Sequence, residues 1–163
     1  MSITALQSAT ELAIEQLSNL ASKHPGKTVF STSLGQEDQV ITDMIARYRL
    51  DIALFTLDTG RLFYETYELN DQTRSRYQIP IRAYFPEAEK VETFVTEKGI
   101  NSFYESVENR KQCCFIRKVL PLKRALAGNE IWVTGLRASQ SQARQDLSQQ
   151  EWDEANEITK FHP

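Results

Sequence analysis

The stretch DIALFTL, residues 51–57, decides the fold of this chain. Its apolar run is unbroken and of strand length, which is typical of a strand buried on both faces. KTVFSTS at 27–33, IPIRAYF at 79–85 and EIWVTGL at 130–136 are predicted to be further strands. Strands buried on both faces belong to a parallel sheet that is covered by helices on each side.

Segments with helical patterns alternate with these strands. Residues 5–20 repeat apolar side chains at helical spacing, and the helix is predicted to stop before Pro25 and Gly26. Helices are also predicted at 34–48, 61–77, 86–99 and 114–128, the last with a kink at Pro121. Residues 137–163 are polar and lack a clear period. The pattern predicts an α/β fold with a mostly parallel sheet flanked by helices, in one domain over residues 1–163.

Composition restricts the classes of function. The 163 residues include 19 basic and 22 acidic side chains, so the net charge of -3 argues against binding long nucleic acid by bulk charge. No stretch reaches the roughly 18 apolar residues of a membrane span, and the N-terminus does not resemble a secretory signal. The sequence therefore predicts a cytoplasmic protein without membrane or nucleic-acid partners, and a homo-oligomer is compatible with it.

The ligand of an open α/β sheet lies beyond the carboxyl ends of its strands. Three such ends carry unusual polar residues, in FSTSLGQED (30–38), LFTLDTGRLF (54–63) and WVTGLRASQSQAR (132–144). We expect these loops to open on one edge of the sheet and to meet around one ligand. The first offers the hydroxyls of Ser31, Thr32 and Ser33 beside Gly35 and a helix start. It either holds an anion or is a capped strand-to-helix turn.

The second and third loops also allow two interpretations each. Asp58, Thr59 and Gly60 form the DTG triplet of aspartic proteases, but that fold is all-β and a helical pattern follows here. The triplet can instead present polar groups to a nucleotide. In the third loop, Arg137 and Arg144 match the oxygens of phosphate or sulfate, unless the loop is only a solvated polar segment.

Cys113 and Cys114 are the only cysteines of the chain, and they are adjacent. Neighbouring cysteines make a poor intrachain disulfide because the linking peptide strains its geometry. In a reducing compartment such a pair indicates metal or redox chemistry. The alternative is that both are small buried apolar residues.

Four fragments together resemble a known family. FSTSLGQEDQVI, TLDTGRLFYETY, CCFIRK and WVTGLRASQSQAR are similar, in this order, to the assimilatory sulfonucleotide reductases, and closest to the adenylyl-sulfate (APS) branch. The resemblance runs from about residue 28 to the end. It implies an adenine-nucleotide α-hydrolase-like fold related to the PP-loop ATP pyrophosphatases. Their loop reads roughly Ser-Gly-Gly-x-Asp-Ser, whereas the bulky Leu34 precedes a single Gly35 here, which argues against ATP pyrophosphate chemistry.

The resemblance implies a set of nucleotide-binding residues. These are Ser31, Ser33, Gly35, Leu57, Thr59, Gly135, Arg137 and Arg144. Within that set, Leu57 and Thr59 would contact adenine mainly through backbone groups. Gly135 and Arg137 would meet the ribose-phosphate side, and Arg144 would bind an anion.

The same resemblance gives the cysteine pair a role. Cys113 and Cys114 would supply two of the four thiolates of a 4Fe–4S cluster, with the other two from a C-x-x-C further along the chain. Lys118 matches, by its offset from the pair, a lysine of the family that lies between cluster and substrate.

The activity implied is reduction of APS to sulfite and AMP in sulfate assimilation. A cysteine near the C-terminus forms an S-sulfo intermediate, and thioredoxin or a similar thiol donor then frees sulfite. That cysteine and the C-x-x-C are missing here, so the chain is expected to be an incomplete reductase that is inactive alone and holds a cluster poorly. Alternatives are a reductase of the 3′-phosphorylated substrate (PAPS), whose branch generally lacks the cysteine pair, a non-catalytic nucleotide-binding module, and an ATP-using PP-loop enzyme.

Overall fold

The computed structural model of the protein describes residues 3–136 and 148–163. Its α-helices are α1 (Ile3–Lys23), α2 (Gln36–Tyr48), α3 (Tyr64–Tyr77), α4 (Ala88–Lys98), α5 (Val107–Cys114) and α6 (Leu120–Leu126). Its strands are β1 (Thr28–Ser31), β2 (Ala53–Leu57), β3 (Ile81–Tyr84), β4 (Ile131–Thr134), β5 (Gln150–Asp153) and β6 (Ile158–Phe161). A 3-10 turn spans Ser102–Tyr104, and a π-helical segment, Phe115–Val119, joins α5 to α6.

The strands form one sheet in the order β3-β2-β1-β4-β6-β5. Neighbouring strands run parallel except for β5, which pairs antiparallel with β6. The chain first moves outward from β1 to β3 and then returns to the other side of β1 as β4. This reversal of strand order creates a crevice at the carboxyl ends of β1 and β4, where ligands of such sheets bind. The prediction of an α/β fold with a mostly parallel sheet is confirmed.

Both faces of the sheet are covered, as the apolar strands predict. The neighbouring residues Val29 and Phe30 of β1 belong to different core clusters because successive side chains of a strand point to opposite faces. The cluster around Phe30 contains the helical residues Leu17, Ala21, Ile41, Met44 and Ile45. The cluster around Val29 contains Phe55, Ala125, Leu126 and Ile158. The helices α1 and α2 thus cover one face, and α6 covers the other.

The tail of the chain is more ordered than its polar pattern predicts. Residues 150–163 contain β5 and β6, whereas the sequence gives no clear period there. Only Ile158 and Phe161 of β6 are buried, and β5 is a polar edge strand, so neither strand shows an apolar run. None of the helices in the described part of the chain is both long and apolar enough to cross a membrane.

The helix that follows the cysteine pair is continuous through Pro121, where the sequence predicts a kink. The backbone N–H of Leu120 donates to the carbonyl of Phe115, five residues earlier, which is the hydrogen bond of a π-helix. Pro121 then lies in the first turn of α6, where a residue without an N–H is tolerated. The widened turn, rather than a break, accommodates the proline. π-helical turns of this kind are frequent at functional sites.

Candidate functional site

A cavity of about 590 Å³ opens at the carboxyl ends of β1, β2 and β4. Seven of the residues singled out in the sequence line it, namely Ser31, Thr32, Ser33, Leu57, Thr59, Gly135 and Lys118. The three strand-end loops therefore meet around one space, as the sequence predicts. Its volume falls within the range of roughly 300–1,000 Å³ that is common for small-molecule sites.

Other predicted residues lie elsewhere. Gly35 is not part of the cavity lining; it is the N-cap residue of α2, with φ -64°. Arg137 and Arg144 fall outside the described residues. Cys113 and Cys114 do not line the cavity, although they precede Lys118 on the same continuous helix. The binding roles of all these residues stay predictions.

The loop after β1 is held by a carboxylate from α2. Asp38 Oδ2 accepts hydrogen bonds from the backbone N–H of Ser33 at 2.6 Å and from its Oγ at 2.7 Å. Leu34 adopts φ 65°, a left-handed conformation, and its N–H donates to Thr32 Oγ1 at 3.0 Å. Because the polar groups of Ser33 and the N–H of Leu34 are bonded within the protein, the loop fits a capped strand-to-helix turn better than an open anion site. The sequence alone does not show that Asp38 reaches back to Ser33.

The hydroxyl of Ser31 is oriented by the neighbouring strand. Trp132 Nε1 donates to Ser31 Oγ at 2.8 Å, which links β4 to β1. Because the indole is only a donor, the serine acts as acceptor in this bond and keeps its own hydrogen for another acceptor. Both residues line the cavity, so that hydrogen can be offered to a ligand.

Two lysines bring positive charge to the cavity. Lys160 pairs with Asp153 at 2.8 Å and lies 5.1 Å from the centre of the Trp132 ring. Lys118 is exposed and, within residues 3–136 and 148–163, makes no ion pair. It is therefore the cation better placed to neutralise an anionic ligand. Sequence reasoning missed Lys160 because it lies in the aperiodic tail.

The loop after β2 is fixed from two sides. Asp58 Oδ1 accepts hydrogen bonds from the N–H of Gly60 at 2.8 Å and from Tyr67 Oη at 3.1 Å. Arg117 Nη1, from the π-helical segment, donates to the carbonyl of Thr59 at 2.7 Å. Burial and the hydrogen bond to Asp58 raise the pKa of Tyr67. Asp58 thus holds a turn in an α/β fold, and the aspartic-protease interpretation is wrong.

A buried histidine supports the third strand end. Thr134 Oγ1 lies 2.6 Å from His162 Nδ1, and Thr134 lines the cavity. Burial lowers the pKa of His162, although Glu151, whose carboxylate lies 3.7 Å from Nε2, opposes that shift. A neutral imidazole is therefore favoured beside Thr134. The sequence carries no signal for this pair, because the two residues are 28 positions apart in the chain.

The two thiols differ in their surroundings. Cys113 is 9% exposed and packs with Phe94 and Ile116, whereas Cys114 is exposed, and both are free thiols. No group of three or more His, Cys, Asp or Glu side chains suited to a metal ion occurs among the described residues. A four-iron cluster takes four thiolates, so the donor set of this chain fits half of one. The buried-apolar interpretation describes Cys113 but not Cys114.

Comparisons with known proteins agree with this geometry. Residues 27–163 match the model of the phosphoadenosine phosphosulfate reductase domain. The chain is 46% identical over 163 residues to the adenosine 5′-phosphosulfate reductase of Allochromatium vinosum, covering all of this chain and 63% of that protein. It is 50% identical to the enzyme of the same name from Rhizobium meliloti, covering 85% of this chain and 52% of that protein. The chain thus spans about half to two-thirds of the length of these curated relatives.

Two solved structures show the same architecture. The phosphoadenylyl-sulfate (PAPS) reductase of Candida auris, in complex with phosphate, matches all of this chain and 79% of that chain at a TM-score of 0.74 and 26% identity. The FMN adenylyltransferase of Candida glabrata, in complex with ATP, covers 96% of this chain and 50% of that chain at a TM-score of 0.54. The second likeness, at 16% identity, concerns the fold alone and is consistent with an adenine-nucleotide α-hydrolase-like fold.

Proposed function

Because this chain belongs to the phosphoadenosine phosphosulfate reductase domain family, we propose that its cavity binds adenylyl sulfate, which the whole protein reduces to sulfite and AMP. The observation that carries this proposal is the convergence of three strand-end loops and Lys118 on one cavity of about 590 Å³. The sulfate-assimilation role, the cytoplasmic location and the thioredoxin-type donor belong to the same proposal.

The proposal assigns the cavity residues simple tasks. Ser31 donates a hydrogen bond to the ligand, because its hydroxyl hydrogen is not used in the bond that Trp132 donates to Oγ. The loop after β2, fixed by Arg117, presents backbone groups of Leu57 and Thr59 to the adenine. Lys118 neutralises the anionic end of the nucleotide by a charge-assisted contact.

The reduction itself needs a nucleophile that none of these cavity residues supplies. A cysteine thiolate attacks the sulfate sulfur, the bond between that sulfur and the bridging oxygen breaks, and AMP leaves with the electron pair. A thiolate of the donor then attacks the sulfur of the cysteine. Sulfite leaves with the electron pair of the sulfur–sulfur bond, and a disulfide forms between the cysteine and the donor.

We include Cys113 and Cys114 in the proposal as two ligands of a 4Fe–4S cluster. Cys114 is exposed, so a cluster can reach its thiol. The apolar side chains around Cys113 would limit the access of solvent to the cluster, on which its redox potential depends. A bound cluster would supply an inorganic centre that modulates the electrostatics near Lys118. In a longer polypeptide with further cysteines, Cys114→Ser should lower the iron content per chain, whereas unchanged iron content would remove Cys114 from the ligand set.

Titration of the chain with APS and AMP in a calorimeter tests the nucleotide site. Both ligands should bind, and Lys118→Ala should weaken APS binding by about tenfold or more, as expected for loss of a charged partner. Lys123→Ala is the matched control, because it removes the same charge from an exposed position on α6. Absence of binding, or equal effects of the two substitutions, would contradict the proposal.

A comparison of two further ligands distinguishes APS reduction from the alternative PAPS activity. Adenosine 3′,5′-bisphosphate carries the extra phosphate of PAPS, and AMP does not. The relatives at 46% and 50% identity bear the APS name, whereas the PAPS reductase structure is 26% identical. We therefore expect AMP to bind more tightly, and a preference for the bisphosphate would favour PAPS.

A further inference from the structure

The carboxylate of Asp38 is a fixed negative charge in the wall of the cavity. Asp38 is only 7% exposed, yet it lines the space in which the ligand would bind. Its Oδ2 is held by the N–H and the hydroxyl of Ser33 at 2.6 and 2.7 Å. The carboxylate therefore cannot turn away from the cavity without losing both hydrogen bonds.

The other side of the same carboxylate abuts the loop after β4. A Cβ atom added to Gly135 would lie 2.0 Å from Asp38 Oδ1, closer than any real side-chain contact. Only glycine leaves the space that this oxygen fills. Asp38 is thus held between the loops after β1 and β4, which flank the crevice of the sheet.

The loop before α2, which begins at Gln36, places a carboxylate of the protein where such loops often place a ligand anion. The amides at the start of a helix after a parallel strand commonly bind phosphate. Here the amide of Ser33 binds a carboxylate of the protein itself. A ligand anion placed nearby is repelled, and the repulsion is stronger than in water because the surroundings have a lower dielectric constant.

We propose that Asp38 is a specificity-determining residue that makes the cavity prefer adenylyl sulfate to ADP. This inference rests on the proposed function. Both ligands are anhydrides of AMP with chains of similar length. A terminal phosphate carries about 1.5 to 2 negative charges at pH 7, whereas a terminal sulfate carries only about one. Lys118 and Lys160 attract both ligands, and ADP more strongly. Glu37 also lines the cavity, and the fixed carboxylate of Asp38 opposes the additional attraction for ADP.

The test compares the affinities of the chain for APS, ADP and AMP by calorimetry in one buffer. The unmodified chain should bind APS at least about tenfold more tightly than ADP, a difference of about 1.4 kcal/mol. Asp38→Asn keeps a carbonyl oxygen for the Ser33 hydrogen bonds but removes the charge. It should tighten ADP binding and reduce the preference to within about threefold.

The control is Asp43→Asn, the same change on the same helix. Asp43 contacts Arg47 and the hydroxyl of Tyr77 and does not line the cavity, so its substitution should keep the preference for APS. If Asp38→Asn does not fold by thermal melting, Asp38→Ser takes its place, since serine is also favoured at helix starts.

Two results would overturn the inference alone. In the first, the unmodified chain binds APS and ADP with affinities that differ by less than about threefold. In the second, Asp38→Asn or Asp38→Ser leaves the ratio of the two affinities unchanged. In both cases the chain still binds AMP. If the unmodified chain bound neither AMP nor APS, the proposed function itself would fail, and the inference with it.

Discussion

At the scale of single residues, the site requires a glycine at position 135, where a side chain would collide with Asp38. Gly135 lies against Asp38, and an added Cβ would approach Oδ1 to 2.0 Å. Gly135 does not adopt a positive φ, so the requirement is space rather than backbone freedom. The family resemblance assigns Gly135 to the ribose-phosphate side, but only the structure shows that it also accommodates Asp38.

Gly135→Ala should therefore displace the carboxylate and destabilise the fold. We expect a loss of about 1 to 3 kcal/mol in the free energy of unfolding, measured by urea denaturation, as is usual for overpacking. Gly35→Ala is the matched control, because its Cβ would meet only side-chain atoms at 3.4 and 3.7 Å. That change should cost less than about 1 kcal/mol, and equal costs would contradict the close packing at Gly135.

His162 makes the stability of the protein depend on pH. Burial lowers its pKa in the folded state, so the unfolded chain binds more protons between the folded value and about 6.5. The stability contributed by the neutral imidazole is fully present above that range and is lost as the pH falls through the folded pKa. We expect the free energy of unfolding to fall between about pH 7.5 and 5.5.

His162→Gln isolates this contribution. Glutamine can still form a hydrogen bond with Thr134 Oγ1 but does not titrate, so the variant should lose less stability than the unmodified chain over the same pH range. Urea denaturation at both pH values measures the difference. Identical losses would show that His162 does not control this pH dependence.

The limits of sequence reasoning at this scale are set by long-range contacts. Ser31, Ser33 and Thr59 could be placed at the cavity because each follows or ends an apolar strand, whereas Leu57 was implied only by the family resemblance. Trp132 could not be assigned a partner, since its hydrogen bond to Ser31 spans 101 positions. Such pairs follow from sheet order, which one sequence does not show.

At the scale of elements, the π-helical segment connects the thiols to the nucleotide loop. Arg117 lies in this segment between Cys114 and Lys118, and its guanidinium donates to Thr59 in the loop after β2. A Cβ on Gly60 would lie 3.3 Å from Arg117 Nη1, so the guanidinium is packed closely against that loop. The sequence gives no sign of this contact, because Thr59 and Arg117 are 58 positions apart.

Arg117→Ala should loosen the loop and weaken nucleotide binding. A hydrogen bond from a charged group contributes about 1.5 to 3 kcal/mol, so we expect the dissociation constant for AMP to rise by about tenfold. Lys111→Ala, at an exposed position of α5, is the control and should leave the affinity unchanged. Equal affinities for AMP in the two variants would show that the contact with Thr59 does not support binding.

Strand prediction succeeded for β1 to β4, including the partly exposed β3, and failed for β5 and β6 in the polar tail. β1, β2 and β4 are mostly buried and were predicted from their composition. β5 alternates between exposed and half-buried residues at the sheet edge, and its sequence QEWD has no apolar pattern. Only its pairing with β6 gives it strand structure, and that pairing is a tertiary contact.

At the scale of the whole molecule, the parallel sheet brings the loops of the site together. Strand order reverses between β1 and β4, and the loops after β1, β2 and β4 line one cavity. The alternation of apolar strands and helices predicted this arrangement, because parallel strands place their carboxyl ends on one edge. Residues 137–147, which follow the third strand end in the sequence, lie outside the described part of the chain.

Hydrogen exchange of the backbone amides, with and without saturating AMP, tests the joint nucleotide site most directly. We expect slower exchange on binding in all three segments, 31–34, 57–60 and 134–136, and no change in α4, which does not line the cavity. Protection confined to one of these segments, or found only in α4, would contradict a site built from three strand ends.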